Sequence, residues 1–298
     1  MKGRNYATGF AALTVAAAVT GLWLTSPNPM DSTVLEGITP DAEAGRIAFA
    51  AAGCASCHVA PDSEASDSPV LAGGRSFSTA FGTFFAPNIS PDPVQGIGSW
   101  STLDVVNAVM RGVSPAGEHY YPAFPYSSYA RAEVQDVANI AAYLMTLPAS
   151  DTPSQPHDLS FPFNIRLSLG GWKLLFQNTD WIVSGELTEQ QQRGRYLVEG
   201  LGHCGECHTA RNALGGLDTG KWLGGAANPS GQGRIPNITP GALTWSAFDI
   251  AAYLETGFTP EFDSAGGEMA HVVRNMAQLP ASDREAIAAY LKIVPAVE

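Results

Sequence analysis

A five-residue motif, Cys-x-x-Cys-His, occurs twice in this sequence, at residues 54–58 and 204–208. Two thiols three positions apart lie on one face of a helical turn, where both can form thioether bonds to the vinyl groups of a haem. The histidine that follows can turn its imidazole towards the iron as the proximal ligand. A redox-active dithiol or a four-cysteine zinc site would need only the cysteines. Because both pairs carry the histidine, the sequence predicts two covalently bound haem c groups, held by Cys54, Cys57, His58, Cys204, Cys207 and His208.

The two motifs belong to a unit that occurs twice, at an offset of about 145 to 150 residues. Three further stretches recur in the same order: Pro-Asn-Ile at 87–89 and 236–238, Trp-Ser at 100–101 and 245–246, and Ala-Ala-Tyr-Leu at 141–144 and 288–291. This order indicates an internal duplication.

Each copy is predicted to be helical, with no strand-like alternation, so the expected fold class is all-α. A first helix should begin near Thr39-Pro40 in one copy and at a Thr188 capping box in the other, and should run straight into its cysteine pair. A middle helix should follow each Trp-Ser pair, and a last helix should cover residues 133–147 and 282–293. The Gly- and Pro-rich stretch 61–98 is too long for an idle loop, which suggests that it wraps a group other than protein.

The charge of the chain argues against nucleic-acid binding. The chain has 298 residues with 28 acidic and 16 basic side chains, a formal net charge of −12. The basic residues are scattered singly, so no patch could displace counterions along a nucleic acid. The acidic side chains also show no paired-carboxylate pattern of the kind that acid–base catalysis uses.

The N-terminal residues 1–30 are predicted to be an export signal or a membrane anchor. Lys2 and Arg4 precede an uncharged, apolar stretch, and the positive end is expected to stay in the cytoplasm. The stretch ends in Trp23-Leu24 and Pro27 rather than in small residues, which favours retention as an anchor over cleavage. The remainder would then lie on the periplasmic side of the cytoplasmic membrane.

The quoted motifs extend into a wider resemblance. From about residue 40 onwards the chain resembles the multihaem cytochrome c subunits of bacterial membrane-bound alcohol, aldehyde and gluconate dehydrogenases. The matching stretches are APNISPD at 86–92, YPAFPY at 121–126, FPFNIR at 161–166 and GHCGECHT at 202–209. The resemblance implies two tandem cytochrome c domains, at residues 31–150 and 186–298. Residues 151–185 would be a linker with a short amphipathic helix, which is expected to pack between the domains or, alternatively, to dock a partner or the membrane.

The resemblance also implies contacts within each domain. A carbonyl of each Pro-Asn-Ile stretch should orient His58 or His208. Gly45 and Gly194 on the first helices should meet Tyr143 and Tyr290 on the last helices.

The two copies differ in the residues that could serve as the sixth ligand of the iron. Met269 is the expected ligand of the second haem, in a loop before the last helix, with Met276 as the alternative. In the first copy, Phe124 stands where the related subunits most often carry methionine, and Ala132 fills the other familiar position. The first haem is therefore expected either to use His119 or to be five-coordinate or weakly ligated, and further alternatives are Met110 and Met145.

The function implied is electron transfer between a periplasmic or membrane-bound dehydrogenase and the respiratory or photosynthetic chain. Partners would be the upstream dehydrogenase and a downstream cytochrome, oxidase or reaction centre. The rival hypothesis is a haem enzyme, peroxidase-like or thiosulfate-oxidising, that uses an open first haem.

Overall fold

The computed structural model describes residues 2–61, 63, 66, 68–229 and 233–298. Met1, the side chains of Lys2 and Arg4, and residues 62, 64, 65 and 67 of the predicted wrapping stretch lie outside the described part. The α-helices before the linker are α1 (Lys2–Leu24), α2 (Ala42–Ala51), α3 (Cys54–His58), α4 (Thr102–Val106), α5 (Tyr126–Tyr129) and α6 (Val134–Leu144).

The linker and the second copy contain the remaining described α-helices. They are α7 (Ser168–Phe176), α8 (Glu189–Arg195), α9 (Gly205–His208), α10 (Ala247–Thr256), α11 (Gly267–Met276) and α12 (Ala281–Leu291). We call residues 31–150 the first repeat and residues 186–298 the second repeat.

Side-chain caps explain the starts of α2, α4, α8 and α10. The middle helices α4 and α10 begin with the same capping box, in which Ser101 and Ser246 pair with the aspartate three residues on. Thr188 and Gln191 form the predicted box at α8. The prediction for α2 was wrong by two residues, because the Asp41 carboxylate accepts from two backbone N–H groups and starts the helix after Pro40.

The first and last helices of each repeat cross at a glycine, as predicted. A Cβ atom on Gly45 would lie 2.0 Å from the carbonyl oxygen of Asn139 on α6 and 2.9 Å from Cβ of Tyr143. On Gly194 it would lie 1.9 Å from the carbonyl oxygen of Ala286 on α12 and 2.7 Å from Cβ of Tyr290. Only glycine permits this approach of the two backbones.

The two repeats differ in the length of the segment after this glycine. Cys54 is the ninth residue after Gly45, whereas Cys204 is the tenth residue after Gly194. The second repeat continues α8 as a π-helical turn over Tyr196–Leu201. A π-helical turn places one more residue in the same helical span, so it accommodates the extra residue.

Short strands correct the prediction of an all-α chain. Strands β1 (Ser76–Thr79), β2 (Gly82–Phe85) and β3 (Asp158–Leu159) form an antiparallel sheet in that order. Strands β4 (Ala226–Ala227) and β5 (Arg234–Ile235) form a second antiparallel pair. Strands of two to four residues are too short for an alternating pattern to be visible in the sequence.

The linker helix α7 packs between the repeats, as predicted. Lys173 Nζ donates to the carbonyl oxygens of Arg111 and Gly112, at 2.7 and 2.9 Å. Trp172 Nε1 donates to the Leu214 carbonyl of the second repeat at 2.9 Å. The buried apolar core is accordingly continuous from one repeat to the other.

The N-terminal helix α1 joins the first repeat through the segment 25–30. Asn107 bonds both the N–H and the carbonyl of Met30, at 2.7 and 3.1 Å. None of the helices in the described ranges has the combination of length and apolar character that crossing a bilayer requires.

Candidate functional site

Each cysteine pair lies on a short helical turn of its own. The prediction that the first helix runs straight into the cysteines was wrong, because a residue in the left-handed region interrupts the chain before each pair. This residue is Gly53, with φ of 66°, in the first repeat and His203, with φ of 40°, in the second. The break turns the cysteine-bearing helices α3 and α9 away from α2 and α8.

The two motif histidines are held in the same way. His58 Nδ1 lies 2.8 Å from the carbonyl oxygen of Pro87, and His208 Nδ1 lies 2.8 Å from that of Pro236. These are the carbonyls that the resemblance predicted. A carbonyl accepts from Nδ1–H, so it fixes the tautomer in which Nε2 carries a lone pair suitable for a metal. Burial lowers the pKa of both histidines, although the proline carbonyls act in the opposite direction, and therefore favours the neutral imidazole that ligates iron.

The asparagines of the two Pro-Asn-Ile stretches fix the position of those carbonyls. Asn88 Oδ1 accepts from the N–H of Ser90 at 2.9 Å, and Asn237 Oδ1 accepts from that of Thr239 at 2.8 Å. Each amide then donates to the chain beyond the last helix, and these bonds are 2.8 Å long. The two loops are thus pinned by equivalent contacts, which explains the recurrence of asparagine there.

Each motif histidine also has a glycine bonded to its backbone carbonyl, and the sequence analysis did not identify these two glycines as site residues. The N–H of Gly73 donates to the His58 carbonyl, and that of Gly225 donates to the His208 carbonyl, both at 2.7 Å. Both glycines have positive φ, and a Cβ on Gly73 would lie 2.5 Å from the Pro87 carbonyl carbon. The recurrence of Leu-x-Gly at 71–73 and 223–225 was the available signal.

The four thiols suit covalent attachment better than dithiol chemistry. All are free, and burial raises the pKa of Cys54 and of Cys204 to about 12. A redox-active Cys-x-x-Cys has a lowered thiol pKa instead. Two neutral thiols one helical turn apart beside a histidine with an oriented Nδ1 form a donor set that fits one haem c in each repeat.

Met269 lies on a helix rather than in a loop, which corrects the predicted setting. It belongs to the first turn of α11, is partly buried and packs against the core. Met276, at the end of the same helix, is 5% exposed. The structure therefore separates the two methionines by the length of α11.

In the first repeat, Phe124 occupies an aromatic cluster. Its ring centroid lies 6.0 Å from that of Tyr120, 5.8 Å from that of Tyr129 and 6.5 Å from that of Tyr126. The phenyl ring of Phe124 has no lone pair to give to a metal, so this side chain contributes packing only. Of the other candidates, Met110 is buried in a π-helical turn and Met145 is 39% exposed.

His119 uses one of its ring nitrogens in a hydrogen bond to the segment after α1. Its ring is buried, and Nε2 lies 2.9 Å from the carbonyl oxygen of Thr25, just beyond α1. Its own carbonyl accepts from Arg166. The role of His119 as an iron ligand stays a prediction. Among the described residues Nδ1 has no hydrogen-bond partner, so this nitrogen could bind a metal while Nε2 keeps its contact with Thr25.

Comparison with known proteins agrees with this arrangement. Residues 42–148 match the family model described as cytochrome c. The chain is 58% identical over 295 residues to a protein of Cereibacter sphaeroides described as "Diheme cytochrome c-type", covering 99% of this chain and all of that relative. It is 36% identical to the fructose dehydrogenase cytochrome subunit of Gluconobacter japonicus, across 96% of this chain and 60% of that subunit. It is 32% identical to the gluconate 2-dehydrogenase cytochrome c subunit of Pantoea cypripedii, across 83% of this chain and 58% of that subunit. The chain therefore belongs to the dihaem cytochromes of the cytochrome c family and carries two covalently bound haem c groups.

Proposed function

We propose that this cytochrome relays electrons from a dehydrogenase to the respiratory or photosynthetic chain through two haem centres. Cys54 and Cys57 would hold one haem, with His58 as its histidine ligand. Cys204, Cys207 and His208 would hold the other in the same way. The observation that carries the proposal is the pair of 2.8 Å contacts that fix Nδ1 of both histidines to proline carbonyls.

The haem supplies one-electron exchange at its iron. The chain supplies a rigid setting for that exchange. Asn88 and Asn237 fix the carbonyls, the carbonyls fix the imidazoles, and the crossing helices hold each cysteine turn in place. A ligand set that does not move between oxidation states suits electron transfer.

Replacing His58 or His208 by alanine tests these assignments. We expect each variant to change the spectrum of one haem and to keep that of the other, because each histidine serves one iron. The wild type should give two haems per chain in the pyridine haemochrome assay. His157→Ala is the matched control, since that ring packs between Phe84 and Tyr121 and should leave both haem spectra unchanged. An unaltered spectrum in either motif variant would refute the assignment.

Met269 is proposed as the sixth ligand of the second haem. Met269→Ala should abolish the sulfur-to-iron charge-transfer band and lower the potential of that haem, because a methionine ligand raises it. Met276→Leu is the control, since it conserves volume at a buried position and should keep the band at a stability loss of less than about 1.5 kcal/mol. Loss of the band in Met276→Leu, with retention in Met269→Ala, would reverse the assignment.

For the first haem we propose either ligation by His119 or a five-coordinate or weakly ligated iron. Magnetic circular dichroism distinguishes the two, because a second nitrogen ligand gives a low-spin spectrum and an open position gives a high-spin one. A spectrum with two His/Met haems would contradict both alternatives.

The acidic surface is expected to favour basic partners. With a net charge of −12, electron transfer to hexaammineruthenium(III) should slow as ionic strength rises from about 0.01 to 0.15 M, over which the Debye length falls from about 30 to 8 Å. Transfer to the anionic probe hexacyanoferrate(III) should accelerate over the same range. Equal salt dependence for the two probes, measured by stopped-flow absorbance, would show that the net charge does not steer encounters.

We further propose that the chain lies on the periplasmic side of the cytoplasmic membrane with α1 as its anchor. The support is the uncharged composition of the stretch after Arg4 and the exposure of apolar side chains on α1, among them Phe10, Leu13 and Trp23. The full chain should stay with membranes after an alkaline carbonate wash and should keep its first residues on N-terminal sequencing. Release into the wash, or a mature terminus beyond residue 24, would contradict the anchor.

A haem enzyme remains the second candidate, and one observation favours it. Phe124 replaces the expected sulfur by a ring, which leaves an open first haem as one of the two alternatives. Turnover of peroxide or thiosulfate by the purified protein would support this function. Binding without turnover would support the carrier.

A further inference from the structure

The cysteine turn of the first repeat lies against helix α11 of the second. Ser56, between the two cysteines of the first motif, accepts through Oγ from Asn275 Nδ2 at 2.8 Å. Asn275 is 7% exposed and lies on the helix that carries Met269. The first haem-attachment turn therefore touches the helix that carries the proposed axial ligand of the second haem.

Arg75 forms a second link across the same contact. Nη1 donates to the Ser56 carbonyl at 2.6 Å, and Nη2 donates to both carboxylate oxygens of Glu268, at 2.6 and 2.8 Å. Glu268 immediately precedes Met269. A single guanidinium thus joins the first attachment turn to the start of α11, in a geometry more rigid than one hydrogen bond provides.

A third link joins the residues that precede the two motifs. A Cβ on Gly53 would lie 3.5 Å from Cε1 of His203. The His203 ring packs edge-on against Tyr129 with centroids 5.3 Å apart, and the Tyr129 hydroxyl donates to the Ala52 carbonyl at 2.6 Å. The residues that precede the two motifs therefore lie beside each other.

We infer that the electron passes between the two haems across the contact of the two cysteine turns, and that Arg75, Glu268 and Asn275 are positioning residues for this step. The inference rests on the proposed attachment of one haem at each turn. One electron leaves one haem and reduces the other, and no covalent bond forms or breaks. The three residues hold the first attachment turn against α11, and they would thereby set the separation of haems attached at the two turns, on which the transfer rate depends.

A double-mutant cycle tests the inference. Arg75→Gln keeps a donor for the Ser56 carbonyl and removes the ion pair, and Glu268→Gln removes it from the other side. One electron is injected into the fully oxidised dihaem protein by pulse radiolysis, and its redistribution is followed in the Soret region. The distance between the two ferric irons is measured by pulsed EPR. This second measurement tests the inference even if the Soret bands of the two haems overlap and the electron cannot be followed by absorbance. Arg46→Gln, which breaks the exposed Arg46–Glu43 pair on α2, is the matched control.

Each single variant should slow the transfer by about tenfold, the double variant by about the same factor, and the iron–iron distance distribution should broaden in all three. Arg46→Gln should change neither measurement. Unchanged rates and distances in the single variants, or effects that multiply in the double variant, would overturn the inference. Fewer than two haems per chain in the wild type would instead contradict the proposed function. In Glu268→Gln, a retained sulfur-to-iron charge-transfer band would show that Met269 is still in place.

Discussion

Adding one methyl group at Gly194 is expected to destabilise the second repeat by about 3 kcal/mol. The new Cβ would lie 1.9 Å from the Ala286 carbonyl oxygen and 2.6 Å from its carbon. Both are backbone atoms, so no side-chain rotation can relieve the overlap and helices α8 and α12 must separate. The change is measured by denaturant unfolding of the holoprotein, followed by far-ultraviolet circular dichroism and haem absorbance.

Gly171→Ala is the matched control, because a Cβ there meets nothing within 4 Å on helix α7. Alanine at an open helical position should stabilise by about 0.5 to 1 kcal/mol. A Gly194→Ala protein that gained stability to the same extent would show that α8 and α12 do not approach as closely as described.

Removing the Glu199 carboxylate should destabilise the protein by about 3 to 5 kcal/mol. Glu199 is fully buried in the π-helical turn. Its oxygens accept from the N–H groups of Ile182 at 2.6 Å and Val183 at 3.0 Å, and from the Tyr290 hydroxyl. Glu199→Ala leaves these three donors without partners and detaches the end of the linker from the second repeat.

Glu199→Gln should lie between the wild type and alanine, because an amide keeps one acceptor oxygen and the volume of the side chain. Glu189→Ala, at an exposed position on α8, should stay within about 0.5 kcal/mol of the wild type. Equal stability of Glu199→Ala and Glu189→Ala in denaturant unfolding would show that the buried carboxylate does not hold the linker.

Features with a local or repeated signature could be predicted from the sequence. The capping boxes, the glycine crossings and the proline carbonyls facing the histidines all recur at corresponding positions in the two copies. The cysteine–histidine motif carries its chemistry within five residues. The resemblance to multihaem cytochrome c subunits implied the glycine crossings and the proline carbonyls, and the structure shows both in each repeat.

Features that depend on distant partners could not be predicted. Glu199 is a single acidic residue whose acceptor role needs the linker 17 residues before it and Tyr290 91 residues after it. The helical setting of Met269 was missed because Gly266 and Gly267 suggest a loop, although Gly266 is the residue that caps α11. The Asn275–Ser56 contact spans 219 residues, and no local pattern could signal it.

The unequal spacing before the two cysteine pairs gives the molecule a polarity that its duplicated origin alone would lack. The π-helical turn over Tyr196–Leu201 takes up the additional residue before Cys204, and the residues that meet between the two motifs are unlike, His203 from one repeat and Gly53 from the other. The two repeats therefore meet through unlike surfaces, and a second copy of either one would not supply the residues that the other contributes to this contact.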